Sequence, residues 1–100
     1  MSGTNNRNVH DEIVLVYRQL DTERGPKSVE DKLIEEMAEL TQAILKYRYI
    51  KRKRRWSDLK SELADVCIQV TRFIDYHDMF DEIESLAGEK IEKIKKRNNL

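Results

Sequence analysis

The sequence predicts an all-α protein: a small four-helix domain with two central antiparallel helices, its bundle completed by oligomerisation. Three observations lead there. Only one proline and three glycines occur in 100 residues, so few backbone positions break regular structure. Leu, Ile, Glu and Lys recur at three- and four-residue intervals, and no segment alternates apolar and polar residues as a half-buried strand would. A chain of this length makes one domain and buries only a modest share of its unfolded surface, so association is a natural source of further burial. The helical domain is expected over residues 9–97, preceded by a flexible segment 1–8 and followed by a tail 98–100.

The first helix is predicted from about His10 to Leu20, with Ile13, Val16, Tyr17 and Leu20 on one face, and Arg24-Gly25-Pro26 ends it. Ser28 is the expected N-cap of the second helix, with Asp31 in the capping-box position, and that helix continues to about Tyr47. Ser57 is the expected cap of the third, which reaches about Tyr76. The fourth spans about Asp81 to Arg97 and carries Ile83, Ala87, Ile91 and Ile94 on one stripe, weakened by Gly88. The octet Leu33-Ile34-Glu35-Glu36-Met37-Ala38-Glu39-Leu40 is echoed by Leu59-Lys60-Ser61-Glu62-Leu63-Ala64-Asp65-Val66, twenty-six positions later. The two central helices are therefore patterned alike.

Nineteen basic residues balance nineteen acidic ones, which argues against a globally basic nucleic-acid binder. The opening Met1 to Arg7 is polar, and no stretch approaches the ~20 apolar residues of a membrane span, so a cytoplasmic protein without a membrane partner is expected. Cys67 is the single cysteine, which leaves neither an intrachain disulfide nor a thiol metal cluster, and it is expected as a small core residue. His10 and His77 have no second metal-type cluster nearby in sequence, and no Gly-rich phosphate loop is visible.

At ~100° per residue, Leu33, Met37, Leu40 and Ile44 form one apolar stripe, and Leu59, Leu63, Val66 and Val70 form its equivalent. On each wheel the first carboxylate, Glu36 or Glu62, lies ~70° from the stripe centre and the second, Glu39 or Asp65, ~130°, on the same side. Antiparallel packing of the two helices would converge both flanks on one cleft. Carboxylates ~5 Å apart repel by ~3 kcal/mol at an effective dielectric of ~20, so such a cleft demands a cation. An all-oxygen ligand set suits Mg²⁺ or Mn²⁺, which keep positions open for water and substrate phosphates. Glu35 lies ~170° from the stripe, facing water or another subunit. Ordinary solvated helix flanks would produce the same pattern.

Glu35-Glu36-Met37-Ala38-Glu39, then twenty-two residues, then Glu62-Leu63-Ala64-Asp65, resembles the EExxE…ExxD signature of MazG-like nucleotide pyrophosphohydrolases, the all-α NTP pyrophosphatase superfamily. The resemblance covers roughly residues 28–97. It implies a Mg²⁺-dependent enzyme that splits a (deoxy)nucleoside triphosphate into monophosphate and pyrophosphate, as a homodimer or homotetramer. Carried over by position, Glu36, Glu39, Glu62 and Asp65 are the metal ligands, and Glu35, Glu36 and Glu39 form the catalytic set, with Glu35 on a second metal or orienting water. A phosphoribosyl-ATP pyrophosphatase or a dUTPase-like enzyme is the nearest alternative. Near the C-terminus, Lys90 fits a family pattern in which Asn follows four residues on, but Ile94 stands there instead. Lys46, Lys90 and Lys93 are the candidates to bind substrate phosphates.

Lys46, Arg48, Lys51, Arg52, Lys53, Arg54 and Arg55 place seven positive charges in ten positions without one acid. This segment, 46–55, can draw polyphosphate to the cleft, serve as a solvated connector, or support a different class of protein, a non-catalytic nucleic-acid-binding module with Tyr47, Tyr49 and Trp56 as stacking surfaces. The connector is the plainer reading, and nucleic acid is not an expected partner. Ile34, Ala38, Thr41 and Leu45, with Ala64, Ile68 and Thr71, widen the apolar coverage of the central helices and suggest subunit packing.

Overall fold

The computed structural model describes residues 8–25 and 28–100. The predicted flexible segment, apart from residue 8, and Pro26 of the predicted break lie outside the described residues. Four helices follow in order, α1 (Val9–Arg24), α2 (Val29–Tyr49), α3 (Lys53–Tyr76) and α4 (Phe80–Arg97), with no strand among the described residues.

Local chemistry accounts for both ends of α1. Asn8 caps α1, its side-chain oxygen accepting from the Asp11 N–H at 2.8 Å, and Asp11 and Glu12 in the first turn favour the helix dipole. The helix runs a turn past the expected Leu20, to Arg24, and stops where Gly25 takes φ 81°, a left-handed conformation that suits glycine. Two expected caps differ. Ser28 precedes α2, but its side chain makes no capping bond; its hydroxyl instead accepts from Arg72 Nη2 at 3.4 Å, a tertiary contact that the local pattern does not encode. Ser57 lies inside α3, which begins a turn earlier at Lys53 after a connector of only Ile50–Arg52.

Antiparallel packing of α2 on α3 follows from which residues meet. Tyr47 packs against Trp56 with ring centroids 5.0 Å apart and planes tilted by 46°, Glu36 meets Glu62, and Ser28 meets Arg72, so one helix descends as the other ascends. The least exposed positions of α2 are Val29, Leu33, Glu36, Leu40, Ala43 and Tyr47, joined by Lys32; on the matching face of α3 they are Leu59, Glu62, Val66, Gln69 and Phe73. Alternating steps of four and three residues are the seam of an antiparallel coiled coil. Each α3 seam position from Leu59 to Phe73 lies twenty-six residues after its α2 counterpart, so the octet echo places like residues at like depths.

The seam is not centred on the predicted stripes. On both wheels it is rotated by about 50° toward the carboxylates. Half of each stripe is consequently left open: Met37, Ile44, Leu63 and Val70 are between 37% and 51% exposed. Residues one position after the seam lie on a common side of an antiparallel pair, so Ile34, Met37 and Ile44 of α2 share an edge with Leu63, Cys67 and Val70 of α3. Cys67 is accordingly exposed, not a core residue. One partner helix is too narrow to cover apolar surface this wide.

α1 packs on the other side of α3, fastened by a buried polar cluster. Arg72, 5% exposed, bonds Asp21 through Nε at 3.1 Å and Nη2 at 2.5 Å, donates to Gln69 Oε1 at 3.1 Å, and lies 4.7 Å from the centre of the Tyr17 ring. Gln69 in turn donates to the Tyr17 hydroxyl at 3.1 Å. With Ser28, one guanidinium ties three helices together. Arg18 adds a two-bond pair to Asp75 at 2.8 and 3.0 Å. α4 turns away after Asp78, makes no contact with α2 and touches α3 only slightly, and every residue from Phe80 to Leu100 is exposed. The radius of gyration, 16.8 Å, exceeds the ~13 Å of a compact 100-residue domain.

Candidate functional site

Because the seam is rotated toward the acidic edges, Glu36 occupies a seam position, 6% exposed. Carboxylate oxygens of Glu36, Glu62 and Asp65 lie within 4.8 Å of one another, and so do those of Glu35, Glu36 and Glu39. Glu36 belongs to both groups. The two pairs expected to flank a cleft thus converge in one, which the antiparallel crossing near Glu36 and Glu62 makes possible.

Glu35 is exposed, yet its carboxylate is part of the second group and not directed away from it. The expected outward direction was measured from the apolar stripe; measured from the real seam, Glu35 is about 50° closer to the cleft.

Burial without partners defines the electrostatics. Glu36 Oε2 and Glu62 Oε2 are both buried and accept no hydrogen bond. Desolvation, followed by the charges of Glu39, Asp65 and Glu36, holds the Glu62 carboxyl above the usual carboxylate range. The nearest cation is one that sequence reasoning overlooked. Lys32 Nζ lies 3.2 Å from Glu36 Oε1 and 3.4 Å from Glu35 Oε1; its hydrogen bond to Glu36 first, and the charge of Glu35 next, raise the ammonium above its ordinary value. The signal was available in its spacing, four residues before Glu36 and three before Glu35. One ammonium against five carboxylates leaves the cluster strongly negative.

The donor set therefore fits a hard divalent cation. It is all oxygen, it is held by two rigid helices, and two of its buried oxygens have no protein partner. Glu36, Glu39, Glu62 and Asp65, with Glu35 at the edge, are the residues that could hold such an ion.

The basic residues are distributed unequally. A groove of about 220 Å³ beside the carboxylates is lined by Ala43, Lys46, Arg55, Asp58, Ser61 and Glu62, so Lys46 adjoins the acidic cluster. Lys90 and Lys93 do not: they lie with Ile94, Lys96 and Arg97 on the exposed second half of α4. A larger cavity, about 610 Å³, opens between α1, the end of α3 and the start of α4, around His10, Val14, Arg18, Ile74, Asp75 and Phe80. It faces the α1 side of α3, away from the carboxylates, and His10 packs there edge-on to Phe80 at 5.7 Å.

The profile of the MazG nucleotide pyrophosphohydrolase domain matches residues 24–100. No curated protein and no solved structure shows a significant match. The matched span begins at the end of α1 and contains both halves of the acidic cluster, and by it the chain belongs to the MazG nucleotide pyrophosphohydrolase family.

Proposed function

We propose that this chain is a Mg²⁺-dependent nucleoside triphosphate pyrophosphohydrolase, converting a (d)NTP and water to (d)NMP and pyrophosphate. The observation that carries the reading is the pair of buried, unpartnered oxygens, Glu36 Oε2 and Glu62 Oε2, inside a converging carboxylate cluster. A bare protein gains nothing from that arrangement and loses several kcal/mol, on the order of 3 per close carboxylate pair before screening. Mn²⁺ would fit the same oxygen set.

Glu36, Glu39, Glu62 and Asp65 hold the ion, which when bound neutralises substrate phosphate oxygens and lowers the pKa of a coordinated water. Glu35 and Glu39 at the exposed edge of the cleft and Glu36 within it orient the attacking water. Glu35 is exposed where Glu36 is buried, so it is able to pass the water's proton to solvent. Water adds to one phosphorus of the α–β anhydride as the bridging bond breaks, and the electron pair leaves on the oxygen of the other phosphate. Lys46 meets the departing phosphates, where a preorganised positive charge stabilises the developing negative one.

The open apolar edge, Ile34, Met37, Ile44, Leu63 and Val70, and the uncovered α4 support a homodimer or homotetramer. A second copy would cover that edge. No helix among the described residues is long and apolar enough to cross a membrane, and a nucleotide substrate points to a cytoplasmic protein.

A nucleotide panel with Mg²⁺, including dUTP and phosphoribosyl-ATP, tests the reading when pyrophosphate release is scored against orthophosphate. Turnover should require divalent metal and disappear in Glu36→Ala and Glu62→Ala. Turnover that survives both substitutions rejects the metal-site assignment.

A further inference from the structure

We infer that Lys46 and Arg55 form a pyrophosphate subsite beside the carboxylates, a pocket for the two outer phosphates of the substrate. The inference rests on the hydrolase reading of the neighbouring cluster.

The groove they line is continuous with that cluster through Glu62, which belongs to both. Lys46 comes from the last turn of α2 and Arg55 from the first turn of α3, so the antiparallel crossing sets two cations against one cleft. The tilted Tyr47–Trp56 ring contact pins those helix ends together and fixes the spacing of the residues beside them. At about 220 Å³ the groove falls below the ~300–1,000 Å³ of pockets that enclose a drug-sized ligand. It suits a small anion and not a whole nucleotide.

Arg55 is the more telling of the two. Arg18 and Arg72 each spend their guanidinium on two bonds to a carboxylate. Arg55 is half-buried, yet among the described residues neither it nor Lys46 has an ion pair or a side-chain hydrogen bond. Asp58 lines the same groove without pairing with either. A fork of five N–H donors left free next to phosphoryl chemistry matches the geometry of a di- or triphosphate oxygen pair. No acid occupies the first turn of α3, and the carboxylate that opposes an incoming phosphate in the groove is Asp58, a turn further on.

The test is calorimetric titration of the full chain with inorganic pyrophosphate and, separately, AMP, both in Mg²⁺. Arg55→Ala and Lys46→Ala should each weaken pyrophosphate binding about tenfold or more, as expected for a lost charge-assisted hydrogen bond, and leave AMP binding unchanged. Arg55→Lys should keep part of the affinity, and Asp58→Asn should tighten pyrophosphate severalfold by removing the opposing charge. Unchanged pyrophosphate affinity in both alanine variants, equal losses for pyrophosphate and AMP, or no pyrophosphate binding by the wild-type chain would each overturn the subsite. The two readings separate cleanly. Pyrophosphate binding that depends on Arg55 in a chain that hydrolyses no nucleotide supports the subsite and removes the hydrolase. Hydrolysis with an Arg55-independent pyrophosphate affinity does the opposite.

Discussion

Replacing Glu36 by glutamine keeps the shape of a side chain that is 6% exposed and removes the charge shared by both carboxylate groups. The grouped oxygens lie within 4.8 Å of one another, and at about that separation a carboxylate pair repels by about 3 kcal/mol at an effective dielectric of ~20. Solvent at the exposed partners and the Lys32 ammonium 3.2 Å away screen most of this. Glu36→Gln also gives up the Lys32 pair, worth ~0.3–0.5 kcal/mol on a helix surface. The balance is a gain of about 1 kcal/mol in metal-free buffer, or roughly 4–8 °C in Tm for a domain of this size. Magnesium reverses the order. An ion that binds only the folded chain adds about 2.7 kcal/mol at a hundred times its Kd, and Glu36→Gln loses most of that. Thermal melts followed at the helical circular-dichroism band, in EDTA and in saturating MgCl₂, should show the two curves exchange places. A variant less stable than wild type in EDTA, with an undiminished Mg²⁺ shift, would refute the view that this cluster is a strained cation site.

Four further outcomes follow from particular residues. Arg72→Met strands Asp21 and Gln69 in a buried cluster and should cost about 3–5 kcal/mol by urea unfolding; a cost under about 1 kcal/mol would show that α1 is held by other contacts. Gly88→Ala meets no atom within 4 Å in the middle of α4, so it should stabilise the chain by about 0.5–1 kcal/mol, read from the denaturant midpoint; a loss of stability would mean that α4 packs closely there in solution. Met37→Asp with Leu63→Glu charges the open apolar edge, so the proposed homo-oligomer predicts a shift of light-scattering mass to the monomer; a mass unchanged from wild type would reject this edge as an interface. The raised Glu62 carboxyl makes the folded chain hold its proton at pH values where the unfolded chain has released it. Metal-free stability should therefore fall as pH rises from the ordinary carboxylate range through the folded-state value, and Glu62→Gln should flatten that slope in Tm measured against pH.

Much of this architecture is legible in the sequence. Helical spacing around Leu33–Leu40 and Leu59–Val66 marks α2 and α3, the Arg24-Gly25 break ends α1, and the stripe Ile83, Ala87, Ile91 and Ile94 places α4 from about Asp81 to Arg97, one residue short of its start at Phe80. Helix starts were less legible because a serine hydroxyl has more than one use. Ser28 answers to Arg72 of α3, forty-four residues away, and Ser57 is bypassed because the short connector lets α3 begin at Lys53. Arg72, Gln69 and Asp21 carried no local signal, since each is an ordinary surface residue until three helices close around it.

The sequence by itself determined which residues share a helix face, because 3.6-residue periodicity is a property of one segment alone. That was sufficient to put Glu36 with Glu39, and Glu62 with Asp65, on matching edges. Only the tertiary structure decided how far each face turns toward its partner, since that angle is set by the balance of two surfaces and not by either one. A rotation of about 50° moved Glu36 from flank to seam, turned Glu35 toward the cleft and left Met37 and Leu63 uncovered, while the antiparallel crossing set Lys46 and Arg55 on one groove.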